Sequence, residues 1–343
     1  MPSQIQIPHP CCARVGNPPF DATIAKPPIY KGSKMESLPV SPQILTVPFL
    51  TSFAQTMPFS NPSTRAYLLA GIIVRHFLGE AWIETNIMGE KGPTEFFRND
   101  WGTSERRDVA IRRVIEFGEM LFNLQGAPGF EKCRFQLRDN LGIEGTFAEF
   151  EVGKLLQIHG MRFRFVVPQN ELGMDYDLEV IMSDGRRAFA DTKCKIESTS
   201  FTASTIEASL KKARRQLPAD TPGMIFLKVP ETWLKTENEW TVNGRSHDII
   251  ESAILSFLRN TRRIVSVKVY ATIIHLEGTN SLQFYQLKEF DNPLAQFAGD
   301  WEIFKDISLH GTGPRWVDLI SVANPASNPT HTGVLPAGPL TQT

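Results

Sequence analysis

The chain has 343 residues, of which 41% are hydrophobic and 21% are charged, so its composition is that of a soluble globular protein with one large or two medium domains. Its formal net charge of −1 excludes a globally basic protein, and any nucleic-acid partner must therefore contact local basic patches. The four cysteines show no CxxC or Cys/His spacing, which argues against a structural zinc site and against a disulfide framework.

No targeting or membrane-spanning segment is expected from the sequence. No early apolar run resembles a signal peptide, and no run reaches the length of a membrane-spanning helix. These features favour the reducing cytoplasm, leave the nucleus open as a location, and argue against a membrane partner.

A tail and then a helical region are predicted for the first 130 residues. Residues 1–45 are rich in proline, serine and lysine without periodicity, which predicts disorder. Within the helical region, residues 46–130, Asn61-Pro62 is a helix-start signal, and a second helix is predicted from about Ser104 to Leu124.

A helix over about residues 146–159 leads into a predicted strand over Met161–Val167, and this helix carries two acidic side chains. At about 100° per residue, Glu149 flanks one edge of the apolar stripe and Glu151 flanks the other, so either could reach the element that follows. The alternative is that both glutamates are solvent-exposed.

A β-hairpin is predicted between Gly173 and Lys195, because residues alternate in character on both sides of Ser183-Asp184-Gly185. A three-residue loop with Gly185 in the left-handed conformation is a common hairpin type and would pair Met182 with Arg186. A two-residue loop is the alternative, and it would put the acidic residues of the two strands on opposite faces.

Four residues of this hairpin could carry chemistry. Side chains two apart on a strand share a face, so Asp175 lies with Asp177, and Asp191 lies with Lys193. The three-residue loop would place Asp177 opposite Asp191 and Asp175 opposite Lys193. Converging carboxylates suit a divalent cation, and a neighbouring lysine can act on the attacking water. The pattern Asp–x13–Asp–x–Lys therefore supplies the parts for metal-assisted phosphodiester hydrolysis, whereas the alternative for Asp191 and Lys193 is a solvated ion pair.

The chain after the hairpin is predicted to continue the α/β pattern. A helix over Thr202–Leu217 has an apolar face and a basic remainder, and the continuous apolar run Met224–Val229 predicts a buried strand. Another helix is predicted from Ser246, followed by strands over Ile264–Leu276 and Leu282–Leu287. Residues 291–343 are predicted to be an extension that is disordered from about Ser321.

The order of these elements between about Thr146 and Val229 resembles the core of the PD-(D/E)XK nuclease superfamily. That core contains a helix with a glutamate, a strand, the acidic hairpin, a helix with basic or glutamine residues, and a further strand. The first acidic motif here is Met174-Asp175 or Tyr176-Asp177, without the proline of some members, and the second is Asp191-Thr192-Lys193. The resemblance implies an α/β domain over residues 131–290 with a restriction-endonuclease-like mixed β-sheet flanked by helices.

The resemblance also implies roles for individual residues. Mg²⁺ or Mn²⁺ would be bound by Asp177 or Asp175, by Asp191 and by the backbone carbonyl of Thr192, and Lys193 would act on the water. Glu149 fits the glutamate of the helix better than Glu151 does. Phosphate contacts would come from the helix that follows the hairpin, through Lys212, Gln216, Lys211 and Arg215. The alternative for these basic side chains is a solvated face.

The expected function is a Mg²⁺-dependent nuclease that acts on DNA. The second hypothesis is a catalytically inactive nuclease fold that binds nucleic acid or serves as a scaffold. A hydrolase of another type is disfavoured because no GxSxG, HExxH or P-loop pattern is present. The sequence leaves open a homodimer and a protein partner.

Overall fold

Seven strands form one mixed β-sheet in the described part of the chain. The computed structural model describes residues 44–89, 96–97, 104–139, 142–167, 171, 173–234, 245–277, 280–304, 308–310 and 316–324, all within one compact unit that begins at Ser41. The strands are β1 (Arg162–Phe165), β2 (Leu178–Ile181), β3 (Arg187–Cys194), β4 (Gly223–Lys228), β5 (Ile264–Glu277), β6 (Asn280–Asp291) and β7 (Ser308–His310). They lie side by side in chain order.

Helices precede the sheet and connect its central strands. They are α1 (Val47–Thr56), α2 (Pro62–Leu78), α3 (Glu80–Asn86), α4 (Ser104–Leu124), α5 (Phe130–Arg138), α6 (Ile143–Ile158), α7 (Ala203–Gln216), α8 (Arg245–Arg259) and α9 (Leu319–Ala323). A short 3-10 helix spans Glu231–Trp233. Local side-chain caps explain two helix starts: Asn61 accepts the Ser63 N–H at 2.8 Å before α2, and Thr202 accepts the Thr205 N–H at 3.1 Å before α7.

The sheet changes direction at its centre. Strands β1, β2 and β3 are antiparallel neighbours, β3, β4 and β5 are parallel, and β5, β6 and β7 are antiparallel again. Parallel neighbours need a crossover connection, and α7 and α8 supply the two crossovers. The hairpin β2–β3 therefore lies where the antiparallel part of the sheet meets the parallel part.

Each face of the sheet is covered by its own apolar core. The first core joins the sheet to α2, α4 and α6 and includes Ala190, Phe226 and Leu155. The second joins the sheet to α7 and α8 and includes Ile225 and Leu210. The first core is continuous from α1 to α9, so the predicted boundary at residue 130 falls inside it.

Most predicted elements are present, with changed ends. The α4 helix has the predicted bounds, whereas α6 begins three residues before its predicted start at residue 146. No separate helix is predicted at α1, α3 or α5, which are too short for clear periodicity.

The predicted disorder at the ends is described only in part. Disorder from Ser321 is wrong for the first residues of that tail, because α9 continues to Ala323, which is buried. Residues 325–343 and residues 1–43 of the predicted tails lie outside the described residues. Among the described helices, none is by itself long and apolar enough to cross a membrane; α2 and α3 reach that composition only as a pair bent by 119°.

Candidate active site at the open end of the hairpin

The turn that sets the hairpin register is the predicted three-residue loop. Gly185 has φ of +87°, a left-handed conformation that suits glycine, and the Met182 N–H donates to the Arg186 carbonyl at 2.8 Å. The β2–β3 ladder then runs from Ile181 opposite Arg187 to Leu178 opposite Ala190. The two-residue alternative is therefore wrong. Both acidic segments lie at the open end of the hairpin, away from its turn.

The ladder ends one residue before the predicted acidic pair. The Asp177 N–H donates to the Ala190 carbonyl at 3.0 Å, and the Asp177 carboxylate accepts the Thr192 N–H at 2.7 Å. The expected pairing of Asp177 with Asp191 along the ladder is thus replaced, because the Asp177 side chain takes a backbone N–H of β3 as its partner. This bond fixes the Asp177 carboxylate beside β3.

Asp191 is the most deeply buried acid of the hairpin. Its side chain is 0% exposed, and Lys193 Nζ forms an ion pair with its Oδ2 at 2.5 Å. Lys193 thus occupies Oδ2, whereas Oδ1 is buried without a hydrogen-bond partner. Burial, and then the negative charge of Asp177, raise the pKa of Asp191 well above its usual range, against the lowering effect of Lys193. The predicted alternative of a solvated ion pair is wrong.

Glu149 reaches the same site from α6 through a lysine. Lys132, on α5, donates to Glu149 Oε2 at 2.6 Å, and its Nζ lies 3.8 Å from Asp177 Oδ1. Burial, and then the charge of Asp177, raise the pKa of Glu149 to about 7. Burial alone would lower the pKa of Lys132, but Glu149, Cys133 and Asp177 together raise it. Lys132 is therefore a cation between two of the acids.

The alternative glutamate lies in a different environment. Glu151 is fully buried and pairs with Lys228 at 2.5 Å, and it accepts the hydroxyl of Thr272 at 2.6 Å. These partners lie on β4 and β5, whereas Glu149 is linked to Asp177 through Lys132. Of the two glutamates, Glu149 therefore belongs to the candidate site. Their predicted exposure to solvent is wrong for both, because neighbouring elements cover α6 nearly all round.

Asp175 is not paired with Lys193 in the observed structure. Its backbone N–H donates to the Gln216 carbonyl at 3.3 Å, and the Gln216 amide donates back to the Asp175 carbonyl at 3.1 Å. The amide nitrogen of Gln216 is thus used to hold the segment before β2 against the end of α7. Of the two predicted first acids, Asp177 is the one that contacts the other site residues.

Three of the predicted phosphate-contacting residues are exposed on α7. Lys211, Lys212 and Arg215 all face solvent, and Lys211 pairs with Glu207 at 2.9 Å. Burial lowers the pKa of Lys195, and the positive charges of Lys212 and Lys193 lower it further. Lys195 therefore joins Lys193 and Lys212 in a local patch of positive charge.

Sequence reasoning missed Lys132 and Lys195. Lys195 could have been found, because it continues the alternation of Asp191 and Lys193 one residue beyond the end of β3. The residues around Lys132 give no local signal of a site. Lys132 reaches the site because α5, which begins after Gly129, packs closely against β1. Gly129 has a φ of +81°, and a Cβ at this position would lie 2.0 Å from the Phe165 carbonyl oxygen. Only this tertiary contact brings the lysine to the site.

The donors at the hairpin suit a hard divalent cation by their chemistry. Asp191 offers one buried carboxylate oxygen, Oδ1, that has no hydrogen-bond partner, and Asp177 and the Thr192 carbonyl offer further oxygens. Within the described ranges, no three His, Cys, Asp or Glu side chains are already arranged to hold a metal ion. Two ammonium groups lie among the carboxylates instead. We call Lys132, Glu149, Asp177, Asp191 and Lys193 the hairpin cluster.

No protein-family model and no curated protein matches the sequence.

Proposed function

We propose that this protein is a Mg²⁺-dependent nuclease that hydrolyses phosphodiester bonds in DNA and has a restriction-endonuclease-like fold. Asp191 carries the proposal, because its carboxylate is fully buried, Lys193 pairs with its Oδ2, and its Oδ1 has no hydrogen-bond partner, so one buried oxygen remains for a metal ion. Lys193 Nζ lies beside this carboxylate at 2.5 Å and 3.4 Å from the Thr192 carbonyl oxygen.

The order of elements around the site supports the same proposal. The helix with Glu149 (α6) is followed by β1, the acidic hairpin β2–β3, the basic helix α7 and the strand β4, as in the PD-(D/E)XK core. The parallel pairing of β3 with β4 sets α7 beside the second acidic strand.

Individual residues of the chain would have separate roles in binding the metal ion, activating the water and contacting the phosphates. Asp177, Asp191 and the Thr192 carbonyl would hold Mg²⁺ or Mn²⁺, which supplies Lewis-acid activation of water and screens charge on the phosphate. Lys193 would orient the attacking water and stabilise the negative charge that develops in the transition state. Lys195, with Lys212, would contact the phosphates that flank the scissile bond.

The test is a cleavage and binding assay of the wild type and Lys193→Ala on linear, circular and single-stranded DNA and on RNA, with Mg²⁺, Mn²⁺ or EDTA. Losing a group that acts chiefly in the transition state should lower the cleavage rate by on the order of 10²–10³ and leave nucleic-acid affinity nearly unchanged. Lys288→Ala is the control, because Lys288 is an exposed lysine paired with Glu251. Equal cleavage by wild type and Lys193→Ala would overturn the catalytic role.

A second candidate function is supported by the position of Lys132. A lysine between Glu149 and Asp177 can neutralise acids of an inactive nuclease fold that only binds nucleic acid. Nucleic-acid binding that is unaffected by EDTA, with no cleavage of any polymer, would favour this second function over the first.

A further inference from the structure

Lys132 is held inside the hairpin cluster by the fold. Its side chain is only 2% exposed, and its ammonium lies 2.6 Å from Glu149 Oε2 and 3.8 Å from Asp177 Oδ1. The α5 helix that carries it packs against both α6 and β1. A buried lysine anchored in this way contributes a fixed positive charge, because its ammonium cannot leave the carboxylates without losing both partners.

The charges of the hairpin cluster determine how much added charge it can accept. Three carboxylates face two ammonium groups, so the ionised cluster has one net negative charge. One divalent cation would change this to one net positive charge. A second divalent cation would leave three uncompensated positive charges in a largely buried site, which is strongly unfavourable.

The two ends of the cluster also differ in how many carboxylate oxygens lack a partner. At the Glu149 end, Glu149 Oε2 accepts from Lys132, and both Asp177 oxygens have partners in Lys132 and the Thr192 N–H. At the Asp191 end, Lys193 occupies Oδ2 at 2.5 Å, but Oδ1 is buried without a hydrogen-bond partner. Added positive charge is therefore best accommodated beside Asp191.

We infer that Lys132 is the resident cation of this site: it takes the place of a second divalent ion, so the protein binds one divalent cation, on the Asp191 side. Glu149 is then a positioning residue, which acts through Lys132 on Asp177 rather than as a ligand. This inference rests on the proposed function for its cation, but the place of Lys132 is a property of the chain itself.

The experiment counts Mn²⁺ ions bound per chain by calorimetric titration of the full-length protein. We expect one for the wild type and two for Lys132→Met, in which Glu149 and Asp177 become available to a second ion. The double variant Lys132→Met/Glu149→Gln removes the added ligand and should bind one again. Neutralising both partners together also limits the cost of leaving a buried charge unpaired.

A second buried pair provides the matched control. Lys154 and Glu116 are each 2% exposed and 3.1 Å apart, on α6 and α4. Lys154→Met/Glu116→Gln should bind one Mn²⁺, as the wild type does. If Lys132→Met is unfolded without metal, its melting temperature against Mn²⁺ concentration gives the same information, since it should rise more steeply than that of the wild type.

The possible results separate this inference from the proposed function. One ion in both wild type and Lys132→Met, with equal affinity, would overturn the role of Lys132 and leave the metal-dependent function intact. No ion in wild type but one in Lys132→Met would overturn the metal dependence of the native protein and the ion proposed beside Asp191, and would support only the part of the inference in which Lys132 takes the place of an ion. No ion in any variant would overturn both.

Discussion

The hairpin and the α4 helix each bury a cluster of charged side chains, and the two clusters satisfy their carboxylates differently. In the cluster on α4, Glu116 accepts from Lys154 at 3.1 Å and from the hydroxyl of Tyr285, and Glu119 accepts the Leu319 N–H at 3.1 Å. In the hairpin cluster, Asp191 pairs with Lys193 through Oδ2, but its Oδ1 is buried without a hydrogen-bond partner.

This difference separates a structural network from a candidate site. Burial raises carboxyl pKa values in both places, as the values of about 7 for Glu119 and Glu149 illustrate, so a raised pKa alone does not identify a catalytic group. The bonds from Glu119 instead hold the segment before α9 to α4. Of these two clusters, the hairpin cluster is the one with a buried carboxylate oxygen, Asp191 Oδ1, that has no hydrogen-bond partner and is available to an added cation.

The largest expected effect comes from breaking the α4 cluster. Lys154→Met removes one member of the buried ion pair with Glu116, which should lower the free energy of unfolding by about 3–5 kcal/mol. Urea denaturation at pH 7 measures the loss. The double variant Lys154→Met/Glu116→Gln should recover most of it. A small loss of unfolding free energy for Lys154→Met alone would show that the pair of Lys154 and Glu116 is not needed for stability. The α4 cluster could then not be distinguished from the hairpin cluster as a structural network.

A somewhat smaller effect should appear as pH changes. Burial, partly offset by Lys154, raises the pKa of Glu119 to about 7, so the folded state holds its proton where the unfolded state has lost it. Stability from this group is therefore present below about pH 4.5 and lost as the pH rises towards 7, by on the order of 2–3 kcal/mol. Glu119→Gln keeps an acceptor for the Leu319 N–H and should flatten this part of the stability–pH curve. An unchanged slope would assign the pH dependence to other acids.

In the hairpin cluster, removing a charged group should stabilise the fold, whereas in the α4 cluster it should destabilise the fold. Asp191→Asn removes a buried negative charge that burial and Asp177 disfavour, so the metal-free protein should gain about 1 kcal/mol. Mg²⁺ should raise the melting temperature of the wild type and have no effect on Asp191→Asn. Thermal melts with Mg²⁺ and with EDTA measure both. Earlier melting of Asp191→Asn without metal would indicate that Asp191 and Lys193 form a structural salt bridge.

Local patterns predicted the hairpin well because a turn and two alternating strands are determined by neighbouring residues. Gly185 fixed the loop type, and the loop type fixed the register from Ile181 to Leu178. The same reasoning failed one residue further, because the Asp177 side chain captures the Thr192 N–H and ends the ladder. The two-residue alternation of a strand cannot predict a hydrogen bond of this kind, from a backbone N–H to a side chain.

The burial of charge could not be predicted from periodicity either. An apolar stripe on α6 suggests exposed edges for Glu149 and Glu151, but α4, α5 and the sheet all pack against α6 and bury both glutamates. The short α5 helix has no strong periodic signal, so neither its position nor the arrival of Lys132 at the site follows from the sequence. Long-range packing decides both.

The smallest effects should come from the exposed lysines, and they test the surface beside the hairpin rather than its interior. If Lys212 contacts a phosphate, Lys212→Ala should weaken DNA binding modestly and reduce the slope of log affinity against log salt concentration by about 0.9. Lys195→Ala should do the same, because the two positive charges lie close enough to interact. Fluorescence anisotropy over a range of salt concentrations measures the slope.

Lys288→Ala is the matched control for this comparison, since it removes the same charge from an exposed lysine paired with Glu251. All three variants change the net charge equally, so a difference between them reports on the local surface. Equal slopes of log affinity against log salt concentration for Lys212→Ala and Lys288→Ala would show that the nucleic acid does not bind beside Lys212. A reduced slope for Lys212→Ala and Lys195→Ala alone would show that DNA lies across the end of β3, where Lys193 and Asp191 could reach its backbone.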